Sequence, residues 1–392
     1  ETVARWSGQG CPMRVAVLCE RMAGERRVAV TPEAAAALVA DGHLVVVESG
    51  AGTAAGMSDD AYLAAGATVA PDLATTLGEA GVVVSVNGPT DSATLGYLGG
   101  GHILIGLFDP FWLPDVAASV GATGATMLAL DLVPRSTRAQ AVDVLSSMAT
   151  VEGFQSVLLA AGRLPKMLPM LMTAAGTVPP ARVLVLGAGV AGLQAIATAR
   201  RLGAVVEGFD IREEALEQIR SLGAKTIDPP PAPDGGVPDA ALIHEVLTSH
   251  VAEADIVIAT AQILGRQSPL LVTAAMVAGM RPGSVLVDLA VQRGGNCEVS
   301  IADSDVDHGG VTVLAPTNLA SGSAVTASRM FATNITNLVR MLDNDGEPLV
   351  DPDDEVLTGM LVAAGGEVVH PVVLSILEQR TEASAGDGKA EA

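Results

Sequence analysis

Short apolar runs recur along the chain, and a segment with helical spacing separates each run from the next. This alternation predicts parallel sheets with helices on both faces, because a parallel strand can follow another only after a crossover. The runs fall into two sets, so the chain is predicted to be an α/β protein of two doubly wound, Rossmann-like domains with parallel sheets. The predicted strands of the first set are 15–19, 44–47, 82–86, 103–108 and 126–132, and those of the second are 183–186, 204–209, 255–260, 284–289 and 311–314.

Two long helix-compatible runs, 138–162 and 327–342, are predicted to join the domains, with a cleft between them. The first domain is then 13–145 plus 331–378, and the second is 146–330. Residues 1–12 precede the first strand pattern and are predicted to be an extension outside the fold. The small, polar residues 379–392 predict a disordered tail.

The stretch 183–210 has the pattern of a complete dinucleotide-binding unit. An apolar strand leads into Gly187, Gly189 and Gly192 in GxGxxG spacing, and a second apolar strand ends at Asp210. In this pattern the glycines permit a tight turn, a close approach of the backbone to a pyrophosphate, and close packing of the helix on the sheet. The helix N-terminus attracts phosphates. A carboxylate at Asp210 accepts hydrogen bonds from the ribose 2′-hydroxyl and repels a 2′-phosphate, which predicts NAD(H) rather than NADP(H).

Composition and charge exclude several classes of partner. The 392 residues are 49% hydrophobic but only 2% aromatic, which favours an α/β protein with small side chains between its layers. The formal net charge of −22 disfavours nucleic acid or an anionic membrane surface as a direct partner. Mean hydropathy is +0.44, yet Gly, Pro and polar residues interrupt the long uncharged runs, so no membrane-spanning helix is expected. No His, Cys or acidic residues have metal-ligand spacing, and no metal site is predicted.

A polar cluster precedes the first long helical run. It contains Arg135, Gln140, Asp143 and Ser146. Helical spacing would place the last three on one helix face, where an amide can pair with a carboxamide and a carboxylate or hydroxyl can hold ribose hydroxyls. The alternative is a capped, solvated helix start. Further along, the Pro/Gly-rich stretch 228–239 is either a surface linker or a flexible lid, and the sequence favours neither.

With these features in view, the chain resembles the soluble NAD(H)-binding domain, the alpha subunit, of the proton-translocating NAD(P) transhydrogenase family. The likeness covers roughly residues 13–378, and the family is similar in fold to alanine dehydrogenase. The segments that carry it are GERRVAVTPE (24–33), PRSTRAQAVDVLSS (134–147), MTAAGTVPPARVLVLGAGVAGLQAIATARRLGA (172–204) and MRPGSVLVDLAVQRGGNCE (280–298).

The resemblance implies roles for named positions. Arg135, Gln140, Asp143 and Ser146 match the loop that orients the dihydronicotinamide, with Gln140 near the carboxamide and Asp143 and Ser146 near the ribose. The nucleotide-binding turn and the adenosine side are matched by Val190, Asp210, Ile211 and Arg212. Ala261 and Gln262 match the loop over the adenine ribose, and Gly236 belongs to the mobile loop.

Three departures qualify the resemblance. Asn87 and Asp109 stand where alanine dehydrogenases carry a substrate lysine and a catalytic histidine, and only Arg27 of that substrate set is present. The family's GGYA loop motif is reduced to Gly235 and Gly236 before Val237, in a shorter loop. The usual TALIPG segment reads TAQILG, so Gln262 and Leu264 replace Leu and Pro.

The resemblance therefore predicts an enzyme component that binds NADH and presents it for direct hydride transfer to NADP⁺ on a partner subunit. Hydride transfer between two nicotinamides needs positioning and no general base, whereas an amino-acid dehydrogenase needs one. The implied assembly is a homodimer on NADP-binding and membrane-spanning subunits, at the cytoplasmic face of the inner membrane and not inserted in it. The alternatives are an alanine dehydrogenase-like enzyme and an NAD-sensing module without catalysis.

Overall fold

The structure is a computed structural model that describes residues 12–232 and 236–387. Its strands, in chain order, are β1 (Arg14–Val17), β2 (Leu44–Glu48), β3 (Thr68–Ala70), β4 (Val82–Asn87), β5 (Ile103–Leu107), β6 (Thr126–Ala129), β7 (Leu171–Thr173), β8 (Gly176–Val178), β9 (Arg182–Leu186), β10 (Val205–Phe209), β11 (Lys225–Ile227), β12 (Ile256–Ala259), β13 (Val285–Asp288), β14 (Asp305–His308), β15 (Val311–Leu314), β16 (Asp343–Asn344), β17 (Glu347–Pro348), β18 (Leu361–Ala364) and β19 (Glu367–Val368).

The α-helices complete the alternation that the sequence predicted. They are α1 (Pro32–Ala40), α2 (Asp59–Ala64), α3 (Leu73–Leu77), α4 (Ser92–Leu95), α5 (Pro114–Ala122), α6 (Val144–Arg163), α7 (Val190–Arg201), α8 (Glu213–Ser221), α9 (Ala240–Glu253), α10 (Ala274–Ala278), α11 (Ala324–Leu342), α12 (Glu355–Met360) and α13 (Pro371–Asp387).

The chain forms two compact units. The first extends to Met148 and resumes at Ala324, and the second is Ala149–Ser323. The sequence placed these crossings at 145–146 and 330–331. The first crossing therefore lies inside α6 and the second at the start of α11.

The first unit contains an eight-stranded sheet in the order β19-β18-β6-β5-β4-β1-β2-β3. The strands from β6 to β3 are all parallel, as predicted, but β18 pairs antiparallel with both β6 and β19. The antiparallel edge was not predicted, because two strands joined by a short turn at Gly365 and Gly366 need no crossover helix.

The second unit contains a seven-stranded sheet in the order β11-β10-β9-β12-β13-β15-β14. The strands are parallel except β14, which pairs antiparallel with β15. Counted from β9, the order is that of a dinucleotide-binding fold, in which the sheet is extended first on one side and then on the other. The direction reverses between β9 and β12, so a crevice lies at the carboxyl ends of these two strands.

The core of the second unit shows why β9 folds as a central strand. Val183 and Val185 face one layer, with α6, α7 and α8, while Leu184 and Leu186 face the other, with α9 and α10. All four side chains are at most 2% exposed. A strand buried on both faces has a continuous apolar run, which is the pattern that predicted it.

Two segments differ from the sequence prediction. The helix predicted from residue 138 is a 3₁₀ turn over Arg138–Val142, and the α-helix begins only at Val144. The Pro-punctuated stretch before β9 contains the hairpin β7–β8, which was not predicted. At three residues each, these strands are too short to show alternation in the sequence.

Helix α6 is long enough and apolar enough to cross a membrane by length and composition, which was not expected of any segment. Its apolar residues have partners within the second unit, because Val157 and Ala160 lie in the same core as β9. A Cβ at Gly153 would lie 2.1 Å from the carbonyl oxygen of Ala191, so α6 packs directly on the start of α7. This packing accounts for the apolar character of its second half.

Helix α13 continues to Asp387, beyond residue 378 where the disordered tail was predicted to begin. The segment after 378 contains Gln, Arg, Glu and Ala and lacks proline, so its residues favour a helix. Residues 1–11 of the predicted extension, 388–392 of the predicted tail, and 233–235 of the predicted lid lie outside the described residues.

Candidate functional site

The glycine-rich turn at the carboxyl end of β9 is closely packed at two glycines and open at the third. Gly187 has a φ of 91°, which L-residues rarely adopt. A Cβ at Gly192 would lie 1.9 Å from the carbonyl oxygen of Gly187, whereas a Cβ at Gly189 would meet no atom within 4 Å. The turn and the helix therefore fix each other at Gly187 and Gly192, and Gly189 borders open space.

Helix α7 begins directly at this open space. Its N-cap is Gly189, which has no side chain to accept a hydrogen bond from the first turn. The first-turn N–H groups of a helix carry a partial positive charge and need an acceptor. The uncapped end of α7 is thus suited to an anion such as a phosphate.

Asp210 follows β10 and lies beside the turn. Its carboxylate is 7% exposed and accepts the backbone N–H of Ala188 at 2.8 Å. Arg212 donates to it through its backbone N–H, Nε and Nη2, at 3.0, 3.0 and 2.9 Å. Burial alone would raise the pKa of Asp210, but the bonds from Arg212 and Ala188 outweigh burial and hold that pKa below its ordinary value. Asp210 is therefore a carboxylate anion with every acceptor position in use.

Two apolar side chains flank this carboxylate. Val190 is 42% exposed at the start of α7, and Ile211 is 43% exposed just after Asp210. Because β9 and β10 are parallel neighbours, both residues lie at the same edge of the sheet. An exposed apolar pair at this edge could cover the face of a purine base.

The loop after β12 is held in place by a residue that its sequence pattern did not single out. Asn296 has no exposed surface, and its side chain both accepts from the backbone N–H of Ala261 and donates to its carbonyl, each at 2.9 Å. Gln262 donates to the carbonyl of Leu289 at 2.6 Å. The side chain that replaces the family's leucine therefore ties the loop to the end of β13.

Asp288, at the end of β13, fixes the segment that carries Asn296. It is fully buried and accepts four hydrogen bonds. The donors are the backbone N–H groups of Ala290, Asn296 and Cys297 and the hydroxyl of Ser300, at 2.8 to 3.0 Å. The GGNC run at 294–297 carries some of the family resemblance, and its structural role is to hold Asn296 against Ala261.

The predicted lid contributes little that the structure resolves chemically. Gly236 is exposed in a bend, and the side chain of Val237 is 72% exposed. A cofactor-binding role for Gly236, and closure of the segment, stay predictions.

The polar cluster of the first unit is arranged differently from the predicted helix face. Asp143 accepts from the backbone N–H of Ser146 at 2.9 Å and from its hydroxyl at 2.5 Å, as an N-cap of α6 does. Gln140 lies in the 3₁₀ turn before this cap, so the expected helical spacing of Gln140, Asp143 and Ser146 was wrong. An aspartate next to a helix start satisfies the free N–H groups there, which ends one element and begins another.

Arg135 and Gln140 are exposed, and neither side chain bonds to the residues that the structure describes. The turn that carries Gln140 is nevertheless anchored. Asn334 of α11 donates to the carbonyl of Ala141 at 2.8 Å and accepts from the hydroxyl of Ser147 at 2.7 Å. The cluster thus combines two free donors with a firmly held backbone.

The residues at the alanine dehydrogenase substrate positions are bonded to each other. Arg27 is 7% exposed and donates through Nε and Nη2 to Glu25 at 2.8 and 2.6 Å. Asn87 donates to Glu25 at 2.9 Å and to Glu20 at 3.2 Å. Burial raises the pKa of Glu20 to about 7, against the hydrogen bonds it accepts from Val86 and Asn87. Arg27 is therefore already paired with a carboxylate of its own chain.

Comparison with known proteins agrees with this geometry. Residues 16–152 match the N-terminal domain, and residues 156–371 the C-terminal domain, of the alanine dehydrogenase/PNT family. The initial portion of NAD(P) transhydrogenase subunit alpha from Rhodospirillum rubrum is 41% identical over 92% of this chain and 99% of its own length. Its counterpart in Rickettsia prowazekii is 36% identical over 94% and 100%.

Solved structures show the same relationship. A transhydrogenase from Sinorhizobium meliloti matches with a TM-score of 0.81 at 42% identity, covering 91% of this chain and 99% of that one. An L-alanine dehydrogenase reaches the same TM-score at 29% identity, covering 94% and 99%. The fold is shared with both proteins, while the sequence is nearer to the transhydrogenases.

Proposed function

The chain belongs to the alanine dehydrogenase/PNT family and within it is homologous to the NAD(P) transhydrogenase alpha subunits, and from this we propose that it binds NAD(H) and presents NADH for direct hydride transfer to NADP⁺ on a partner subunit. The observation that carries the proposal is the open, uncapped start of α7 at Gly189, in the crevice between β9 and β12. A dinucleotide-binding fold places the pyrophosphate at this point.

The described residues fit the nucleotide from its adenosine end. The N–H groups of α7 receive the pyrophosphate, and Gly189 leaves the space for it. Asp210 receives the ribose hydroxyls, Val190 and Ile211 flank the base, and Ala261 and Gln262 cover the ribose. We include Gly236 as a contact of the mobile segment.

At the reacting end, this chain supplies position. When bound, NADH supplies the hydride, and no proton moves at the reacting carbon. The Gln140 amide pairs with the carboxamide, Asp143 and Ser146 hold the neighbouring ribose, and the Arg135 guanidinium contributes a donor. These side chains fix the face from which the hydride leaves, and orientation of this kind accounts for large rate effects.

Amino-acid oxidation is disfavoured by the geometry of the first unit. The Arg27 fork that a substrate carboxylate would need is paired with Glu25. No lysine or histidine stands at Asn87 or Asp109, and the family's alanine dehydrogenases are more distant, at 29% identity for the Bacillus subtilis enzyme.

The relatives are named as portions of a subunit alpha, which indicates a protein of several subunits. We propose NADP-binding and membrane-spanning subunits as the partners, with this chain on the cytoplasmic face of the inner membrane and NADP(H) held by a partner. The net charge of −22 favours attachment through these subunits over contact with an anionic lipid surface.

A second copy of the chain is a further proposed partner, through the β7–β8 hairpin. The hairpin and its approach expose Met167, Met170 and Met172, at 56%, 59% and 79%. Grouped exposed methionines are typical of interaction surfaces. Met172→Asp should shift the chain from dimer to monomer in sedimentation velocity, while Met22→Asp, at an equally exposed methionine (57%) of the first unit, should not. A Met172→Asp protein that stays dimeric would exclude this surface.

Gln140→Asn tests the positioning role. Asparagine keeps the amide but withdraws it by one methylene, so turnover of the reconstituted complex should fall about tenfold to a hundredfold, as expected for a misplacement of about 1 Å. NADH affinity, measured by calorimetry, should change less than threefold on the scale of one exposed hydrogen bond, roughly 0.5 kcal/mol. The control is Gln218→Asn on the exposed side of α8. Unchanged turnover in Gln140→Asn would refute the role.

A further inference from the structure

The carboxylate of Asp210 has no acceptor position left for a ligand. Oδ1 accepts the backbone N–H and Nε of Arg212, and Oδ2 accepts the backbone N–H of Ala188 and Nη2 of Arg212. A carboxylate has about four lone-pair sites, and all four are occupied. A ribose can therefore bind Asp210 only by displacing one of these donors.

The two guanidinium bonds are the ones that can be displaced. The backbone donors belong to the glycine-rich turn and to the start of α8, which the packing at Gly192 and the helix hold in place. The Arg212 side chain is 57% exposed and can swing into solvent. A guanidinium gives a carboxylate two parallel N–H donors, and the vicinal hydroxyls of a ribose give it two O–H donors at similar spacing.

We propose that, in the nucleotide-free protein, the Arg212 guanidinium occupies the positions on Asp210 at which the adenine ribose hydroxyls bind, and so competes with NAD(H) for this carboxylate. The proposal rests on the proposed NAD(H) site and adds a determinant of its affinity and specificity. Arg212 is then a built-in competitor at this site.

The competition also changes how the site discriminates between nucleotides. An unpaired Asp210 would repel a 2′-phosphate strongly, but a displaced guanidinium beside it can pair with that phosphate. The intact pair therefore weakens NADH binding and softens the rejection of NADPH. Removing the guanidinium should move the two affinities in opposite directions.

The test is calorimetry of NADH and NADPH with the full chain and its Arg212→Ala variant. NADH should bind the variant about fivefold more tightly, which is the scale of a partly exposed ion pair. NADPH should bind it more weakly than it binds the wild type. Arg212→Lys keeps the charge without the parallel donors, so its NADH affinity should lie between the two. Arg220→Ala, which removes an exposed arginine of α8 paired with Glu213, should match the wild type.

The outcomes separate this inference from the one it rests on. A wild-type chain that binds NADH, together with an Arg212→Ala variant that binds it equally or more weakly, would overturn the competition and leave the site intact. A wild-type chain that binds no NADH would overturn both. Thermal unfolding of each variant shows whether a changed affinity reflects the site or the fold.

Discussion

Gly189→Ala should lower NADH affinity about a hundredfold and leave the free energy of unfolding nearly unchanged. The added Cβ meets no protein atom within 4 Å, and the φ of −75° is ordinary for alanine, so the folded chain accommodates it. The same Cβ enters the space proposed for the pyrophosphate, where a misplaced methyl costs about 1–3 kcal/mol. Calorimetry with NADH and urea unfolding measure the two quantities separately.

Two other glycines provide the controls. Gly162→Ala, in α6, also places a Cβ in open space, so it should keep both stability and NADH binding. Gly192→Ala places a Cβ 1.9 Å from the Gly187 carbonyl and should destabilise the unit itself. If Gly189→Ala binds NADH as the wild type does, the pyrophosphate does not lie at this turn.

Asp288→Ala should lower the free energy of unfolding by about 4 kcal/mol, because four donors lose a shared acceptor in the core of the second unit and each unsatisfied buried donor costs about 1–3 kcal/mol. The Asn296 clamp on Ala261 should loosen with it, so NADH affinity should fall as well. Urea unfolding followed by far-UV circular dichroism gives the stability.

Asp307→Ala is the matched control, because Asp307 is exposed and accepts a hydrogen bond from Gly310 at 3.2 Å. Its loss should cost less than about 1 kcal/mol. A similar cost for the two variants would show that the Asp288 network does not stabilise the β13 turn.

The sequence predicted the two-domain α/β fold and the strand–turn–helix–strand unit from β9 to β10 well, and the solved relatives confirm the fold. Strands buried on both faces have continuous apolar runs, and glycines mark the turn. The β7–β8 hairpin was missed because its short, exposed strands have no burial to impose a pattern. The break at Asp143 was missed because an aspartate three residues before a serine suits a helix face and a helix cap equally.

The site was predictable in its residues but not in its pairings. Asp210 was expected from its distance after the glycines, yet only the structure shows it bonded to Arg212. The contact between Asn296 and Ala261 joins residues 35 positions apart. Such pairs depend on which loops meet at the sheet edge, and spacing along one chain does not determine that.

The central claim is direct transfer of hydride from NADH on this chain to NADP⁺ on a partner. The complex should be reconstituted with the NADP-binding and membrane-spanning subunits and supplied with NADH that carries two deuterium atoms at C4. Direct transfer predicts that each NADPH formed carries one deuterium at its own C4, because the hydride never exchanges with water. NADPH without deuterium, or no NADPH at all, would contradict the account.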